Sequence, residues 1–218
     1  MPAPATRPGR ESKEAVVAAF RRRALLAAAS RVFGRKGFEP ATMDEIATEA
    51  GVAKGTIYLY YPSKRAIYEA TFASSLAEIT AVTDAGVHAA PTPRAAIAAF
   101  VEARVRYFQE HPDAFRLYVT EVSRLVADRG PRRGACRMAL DGHTRSLEAV
   151  FAAAVGRGEM RGVDPAAAAH AVFDITRGLV ARRLLTCAES DAARDVAFLV
   201  ELIWTGLAPG PHREGPTA

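Results

Sequence analysis

The densest chemistry in the chain lies at residues 54–60, Lys54-Gly55-Thr56-Ile57-Tyr58-Leu59-Tyr60. A cation, an aliphatic hydroxyl, two phenols and a glycine fall within about two helical turns. A lysine meets a phosphate as a point charge, Thr and Tyr hydroxyls bond phosphate oxygens or base edges, and a glycine lets another backbone approach closely. These types at this spacing point to a polyanion that carries both charge and a hydrogen-bonding pattern, which is double-stranded DNA. Other chemistry is not written in the chain. His88, His111, His143, His170 and His212 are scattered without metal-ligand spacing, and neither a glycine-rich phosphate loop nor a nucleophile elbow is visible. The expectation is a protein that is not an enzyme and uses no metal or cofactor.

Short elements must hold these residues outward. Thr42-Met43-Asp44-Glu45 reads as a capping box, so a helix starts there, and Gly51 stops it soon after. A second short helix covers roughly Ala53 to Tyr60. Ile46, Ala47, Ala50, Val52 and Ile57 are apolar or small, as two helices crossing steeply at a tight turn require. Ala47 must be small where the second helix packs over it. Lys54, Gly55, Thr56, Tyr58, Leu59 and Tyr60 are then left outward, where they can enter a major groove. Ahead of this pair a helix runs from about Ser12 to Lys36, with Leu25, Ala29, Val32 and Phe33 in one stripe and Gly37 as its cap. Behind it, Pro62-Ser63 breaks the chain and opens a helix from about Lys64 to His88. Tyr61, Ile67 and Tyr68 read as core. The run Arg21-Arg22-Arg23 reads as a solvated face or as phosphate contacts.

Charge supports the division. Residues 1–65 hold 12 Lys/Arg against 6 Asp/Glu, whereas residues 66–218 hold 17 against 18. The basic excess lies wholly in the first third, as in a polyanion-binding head joined to a body with another task. The 218 residues, half of them apolar, suffice for one small module and one larger helical domain. No apolar stretch reaches the ~18 residues of a membrane span, and MPAPATRPGRESKE lacks the apolar stretch of a signal peptide. A soluble cytoplasmic protein with no membrane contact is expected. Cys136 and Cys187 stand far apart and read as free thiols.

At this point residues 25–69, LLAAASRVFGRKGFEPATMDEIATEAGVAKGTIYLYYPSKRAIYE, resemble the DNA-binding domain of the TetR family of regulators. Ala28-Ala29, Phe33, Gly37-Phe38, Thr42, Ile46-Ala47, Gly51-Val52, Gly55-Thr56, Tyr58 and Ser63-Lys64 fall at that family's spacing without a gap. The resemblance implies that Thr42 touches a phosphate at the start of the second helix. It implies that Lys54, Gly55, Thr56 and Tyr58 sit at the groove, that Tyr60 reaches the backbone, and that Lys64 holds a phosphate at the start of the fourth helix. The family often has Ser where Ala53 stands, and Ala cannot cap a helix, which costs roughly 1 kcal/mol of local stability.

The rest of the chain matches only in helix count and loosely in pattern. Helices are expected over about Arg94–Glu110, from Pro112 to about Ala127, over about Ala135–Val155, from Pro165 to about Thr186, and over about Asp191–Leu207. That makes nine helices and an all-α fold. Its divisions are a disordered tail at 1–11, a helix-turn-helix domain at 12–62, a ligand-binding and dimerisation domain at 63–207, and a second disordered tail at 208–218.

Two residues stand out on the apolar stripes of the body. Arg104 lies with Ile97, Phe100, Val101, Val105 and Phe108. It either snorkels past the core edge or pairs with an acidic ligand group or a carboxylate such as Glu121 or Asp174. His143 lies with Cys136, Leu140, Leu147, Val150 and Phe151, as a satisfied core histidine or a pocket residue. Phe115, Tyr118, Val122 and Leu125 stripe the sixth helix. The resemblance implies a cavity for a small-molecule effector, for which Phe100, Arg104, Phe108, Tyr118, Glu121, His143 and Asp174 are the candidates. Ala167, Ala171, Asp174, Gly178 and Ala181 put small residues on one face of the eighth helix, and Val196, Leu199, Val200, Ile203 and Leu207 stripe the ninth. With the resemblance, this implies a homodimer through the last two helices on a palindromic operator. The function implied is a ligand-responsive repressor. A DNA-binding regulator without a ligand, and an activator, remain open as readings.

Overall fold

The computed structural model describes residues 8–127, 142–186 and 191–209. Among these residues the chain forms nine α-helices and no strand, the all-α fold expected. They are α1 (Pro8–Lys36), α2 (Met43–Glu49), α3 (Lys54–Tyr60), α4 (Lys64–Ala89), α5 (Pro93–Glu110), α6 (Pro112–Ala127), α7 (Arg145–Gly156), α8 (Pro165–Thr186) and α9 (Ala192–Leu207). The first helix begins at Pro8, four residues ahead of the expected start. Proline's fixed φ suits a first helical turn, so the chain there is helical where a tail was read. The rest of that tail, the tail beyond Pro209, both cysteines and the first third of the expected seventh helix lie outside the described residues.

The chain divides into two compact units. One takes the chain through Ser75 together with Asp113–Glu121, and the other takes Leu76–Pro112 and the chain from Val122 onward. The first half of α6 packs with the N-terminal module, because Leu117 is buried in that module's core.

The core of the first unit follows from the stripes of its helices. Leu25, Ala28, Ala29, Val32 and Phe33 of α1 meet Ile46 and Ala47 of α2, Ile57 of α3, and Ile67 and Tyr68 of α4, all buried. Three rings close its base. Tyr68 lies edge-on to Phe33 at 5.0 Å and to Phe38 at 4.9 Å between centroids, geometry that suits the aromatic quadrupoles. Gly37 ends α1 at a φ of 80° with its N–H on the Phe33 carbonyl at 2.8 Å.

In the second unit α5 is the central helix, packed by α7, α8 and α9. Its start is set by Thr92, whose Oγ1 accepts from the Ala95 N–H at 3.1 Å, with Pro93 in the first turn. Asp164 and Asp191 cap α8 and α9 in the same way, accepting from Ala166 and Ala193. Ile97, Phe100 and Val101 of α5, Leu147 and Phe151 of α7, Val172 and Phe173 of α8, and Val196 and Val200 of α9 are all buried, and α5 packs with each of the other three helices. Each such side chain contributes about 1.5–3 kcal/mol by leaving water.

Candidate nucleic-acid interface

The helix pair of the first unit is built by its termini. Thr42 Oγ1 accepts from the Glu45 N–H at 3.2 Å, and Glu45 Oε2 accepts from the Thr42 N–H at 3.1 Å, so the capping box is closed in both directions. At the other end Gly51 adopts a φ of 67°. Its N–H donates to the Thr48 carbonyl at 3.1 Å and the Val52 N–H donates to the Ala47 carbonyl at 3.0 Å. These paired bonds are the Schellman termination, and they need a left-handed residue at Gly51. The chain turns there and starts α3 at Lys54. Ala53 supplies no side-chain cap, as its type dictates.

Charged pairs fix α2 against α1. Glu49 accepts from Arg31 Nε and from an Arg35 terminal nitrogen, each at 2.6 Å, and Glu45 pairs with Lys36. Hydrogen bonds from Arg31 and Arg35 hold the Glu49 carboxyl below its ordinary range. Lys36 first, then the Thr42 backbone, do the same to Glu45. Two of the three acids near the turn are thereby spent on holding the module together. The third, Asp44, takes Lys54 Nζ at 2.8 Å, and this bond raises the lysine's pKa.

Within α3 only Ile57 is buried. Lys54, Gly55 and Tyr58 are exposed, and Thr56 and Tyr60 are half-buried. Leu59, placed outward by periodicity but given no role from sequence, is the most exposed large hydrophobic of the first unit at 83%. An outward leucine between two tyrosines has the shape to meet a thymine methyl. Thr42 is exposed, and its box uses only an oxygen lone pair, so its hydroxyl hydrogen is available to a phosphate. Lys64 is half-buried, with Nζ 4.6 Å from the Phe38 ring centroid and donating to the Glu39 carbonyl at 2.9 Å. Two of its three hydrogens remain for an anion. Tyr60 lies under Arg22, whose guanidinium carbon is 6.0 Å from the ring centroid. Ile67 and Tyr68 are core, as expected, and Tyr61 is half-buried against it.

The candidates for an effector pocket separate. Phe100, Arg104, Phe108 and His143 come together in the second unit. Arg104 does not snorkel: it is 2% exposed, and its guanidinium carbon lies 4.6 Å from the Phe173 ring centroid, 5.4 Å from Phe100 and 5.7 Å from Phe108. His143 is equally buried, with its ring 6.1 Å from that of Phe173 and nearly parallel to it. Its Nδ1 lies 2.8 Å from Thr80 Oγ1. Burial, then the neighbouring Arg104 charge, push its pKa down to about 4.

Asp174 is not part of this group. It follows Phe173 on α8, and consecutive helical positions point about 100° apart. With Phe173 inward, Asp174 faces solvent and pairs with Arg177 at 3.1 Å. Tyr118 and Glu121 fall in the first unit. There Tyr118 stacks with Phe115 at 6.3 Å, and Glu121 accepts from the Tyr68 hydroxyl at 2.8 Å.

The face expected to self-associate is open. Ala167, Ala171 and Gly178 of α8 are exposed, and Ile175, Leu185, Phe198 and Leu202 stand out of α8 and α9 as exposed large hydrophobics. The stripe Val196, Leu199, Val200 and Ile203 is buried within the unit, so Phe198 and Leu202 form the second apolar face of α9. No helix of the described residues is long and apolar enough to cross a membrane, and none of them form a group of three or more metal-ligating side chains.

Comparison with known proteins places this geometry. Residues 25–71 match the profile of bacterial regulatory proteins of the tetR family. The HTH-type transcriptional regulator BetI of Rhizobium meliloti (strain 1021) is 34% identical over 113 residues, 52% of this chain and 56% of that protein. RutR of Escherichia coli O157:H7, another HTH-type transcriptional regulator, is 28% identical over 162 residues, 71% of this chain and 70% of that protein. The match to BetI thus spans little more than half of that relative. The transcriptional regulator FadR from Bacillus subtilis, solved in complex with stearoyl-CoA, shares the fold at a TM-score of 0.71 and 21% identity, covering 84% of this chain and 97% of that one. A capping box, a Schellman turn and an outward α3 give residues 25–71 the features of the DNA-binding module of tetR-family bacterial regulatory proteins, on a frame that is helical throughout the described residues.

Proposed function

We propose that the protein is a dimeric, DNA-binding transcriptional repressor whose hold on its operator is weakened by a small molecule bound in the second unit. The observation that carries the DNA reading is α3 itself. It buries Ile57 alone and presents Lys54, Gly55, Tyr58 and Leu59 to solvent from a turn locked by Gly51. Thr42 and Lys64 flank it as phosphate partners, and Thr56 and Tyr58 read base edges. In this reading the protein works in the cytoplasm, where its DNA is, and catalyses nothing.

Dimerisation through α8 and α9 supports two such heads on one palindromic site. The exposed Ile175 and Gly178 of α8 and the exposed Phe198 and Leu202 of α9 give those helices apolar area and room for close approach. The effector reading rests on the buried Arg104 and His143 among phenylalanines, and on the shared fold of a regulator solved with stearoyl-CoA. Ligand binding would act by favouring one of two arrangements of the dimer. Fluorescence anisotropy of the full chain on DNA from its own upstream region tests the reading. Retention of that DNA over a scrambled duplex at physiological salt is expected, and equal binding to both contradicts it.

A further inference from the structure

The second unit holds a buried hydrogen-bond acceptor whose protonation state follows from its neighbours. Thr80 Oγ1 lies 2.7 Å from the Leu76 carbonyl and 2.8 Å from His143 Nδ1. A carbonyl only accepts, so the single Thr80 hydrogen goes to Leu76. Thr80 must then accept from His143, which puts the imidazole hydrogen on Nδ1. Burial and the Arg104 charge keep the ring neutral, so Nε2 carries a lone pair and no hydrogen. His143 is 2% exposed, and among the described residues Nε2 has no hydrogen-bond partner. Three residues on, at the start of α7, Ser146 is 8% exposed and its hydroxyl is also without a partner. A buried polar atom left in that state costs more than a bonded one gains.

We propose that His143 Nε2 and Ser146 Oγ are the polar end of an effector site that takes a neutral, hydroxyl-bearing apolar molecule, a phenol or alcohol. The ligand hydroxyl donates to Nε2 and accepts from the Ser146 hydroxyl, a reciprocal pair that a carboxylate or a bare hydrocarbon cannot make. Phe173, shared by His143 and Arg104, and the buried Leu147 and Phe151 suit an apolar body. An ammonium group is disfavoured by the adjacent guanidinium. The site rests on the ligand-responsive part of the proposed function and gives that part a ligand class.

The test uses the full chain, free of DNA, with three probes of one shape: 4-ethylphenol, 4-ethylbenzoate and ethylbenzene. Calorimetric titration is expected to show the phenol binding on the order of tenfold more tightly than ethylbenzene, and more tightly than 4-ethylbenzoate, which has no hydrogen to donate to Nε2. In 15N-histidine spectra the Nε2 resonance of His143 should shift with the phenol alone. His143→Phe should erase the preference, and His143→Gln, which keeps an acceptor at similar reach, should restore part of it. Should His143→Phe fail to fold, the Nε2 shift in the unaltered protein and a reduced preference in Ser146→Ala carry the same test. Equal binding of phenol and hydrocarbon overturns the site, as does an Nε2 resonance that no hydroxyl probe moves because a fixed water holds it. Phenol binding that shifts Nε2 but leaves the operator complex intact upholds the site and refutes the ligand response. Release of the operator by other compounds with Nε2 unmoved does the reverse.

Discussion

Lys54 Nζ stands 2.8 Å from the Asp44 carboxylate, joining the first residue of the outward helix to the first turn of the helix before it. Both side chains are more than half exposed. The lysine most directly placed for a phosphate is thus held in a protein ion pair that DNA must compete with.

Replacing Asp44 by Asn frees Lys54 and removes a negative charge near the duplex. Affinity is expected to rise several-fold for all sequences at low salt, and the gain to shrink as salt screens it. Anisotropy titrations at two salt concentrations check this, with the unfolding temperature expected to stay unchanged because exposed pairs contribute little.

Gly34 marks a second close approach in the first unit. A Cβ there would stand 2.5 Å from Asp113 Cβ and 2.7 Å from its Cα, at the start of α6. Alanine favours a helix by about 1 kcal/mol over glycine, but contact with a backbone atom cannot be relieved by a rotamer. Overpacking of this kind costs roughly 1–3 kcal/mol, so Gly34→Ala is expected to lower stability in urea unfolding.

The contrast between these sites shows what could be read from sequence. The capping box and Gly51 were legible because each depends on residues within a few positions, where type and spacing carry the geometry. The core face of α3 was legible for the same reason. The helix start at Pro8 was not, since nothing apolar marks that turn. Helical periodicity assigned Tyr118 and Glu121 to a face of α6 but could not say which unit that face joins. Asp174 was offered as a carboxylate partner for Arg104, but Phe173 takes the inward direction and Asp174 pairs with Arg177. His143 was visible as an odd residue on an apolar stripe, but its tautomer depends on Thr80, 63 positions away.

His143 also sets a pH dependence. Its folded pKa of about 4 lies below the ordinary value of 6.5. Between these values the unfolded chain binds a proton that the folded chain does not, so stability falls as pH drops from about 6.5 toward 4. The loss reaches up to ~3 kcal/mol. Glu45 and Glu49, whose carboxyls are held low, lose their stabilising effect only at lower pH, as the pH falls through their depressed folded values. His143→Phe is therefore expected to flatten the stability profile between pH 4 and 6.5 and leave the more acidic limb in place, as measured by urea unfolding across that range.

Phe198 and Leu202 test the self-associating face without touching a core. They are 69% and 58% exposed, so changing both to Glu leaves the helix packing intact. Sedimentation is expected to show a dimer for the unaltered chain and a monomer for the double variant, with the variant's operator affinity falling because two heads no longer bind together.

The central claim is that α3 reads base sequence while its flanks hold phosphates. Comparing Tyr58→Ala with Lys64→Ala on the upstream DNA and on a scrambled duplex, by anisotropy across a salt series, tests it most directly. Lys64→Ala should weaken both duplexes alike and lower the salt slope by about 1, while Tyr58→Ala should narrow the preference for the upstream DNA and leave the slope unchanged. Identical losses on both duplexes from both variants would contradict the account.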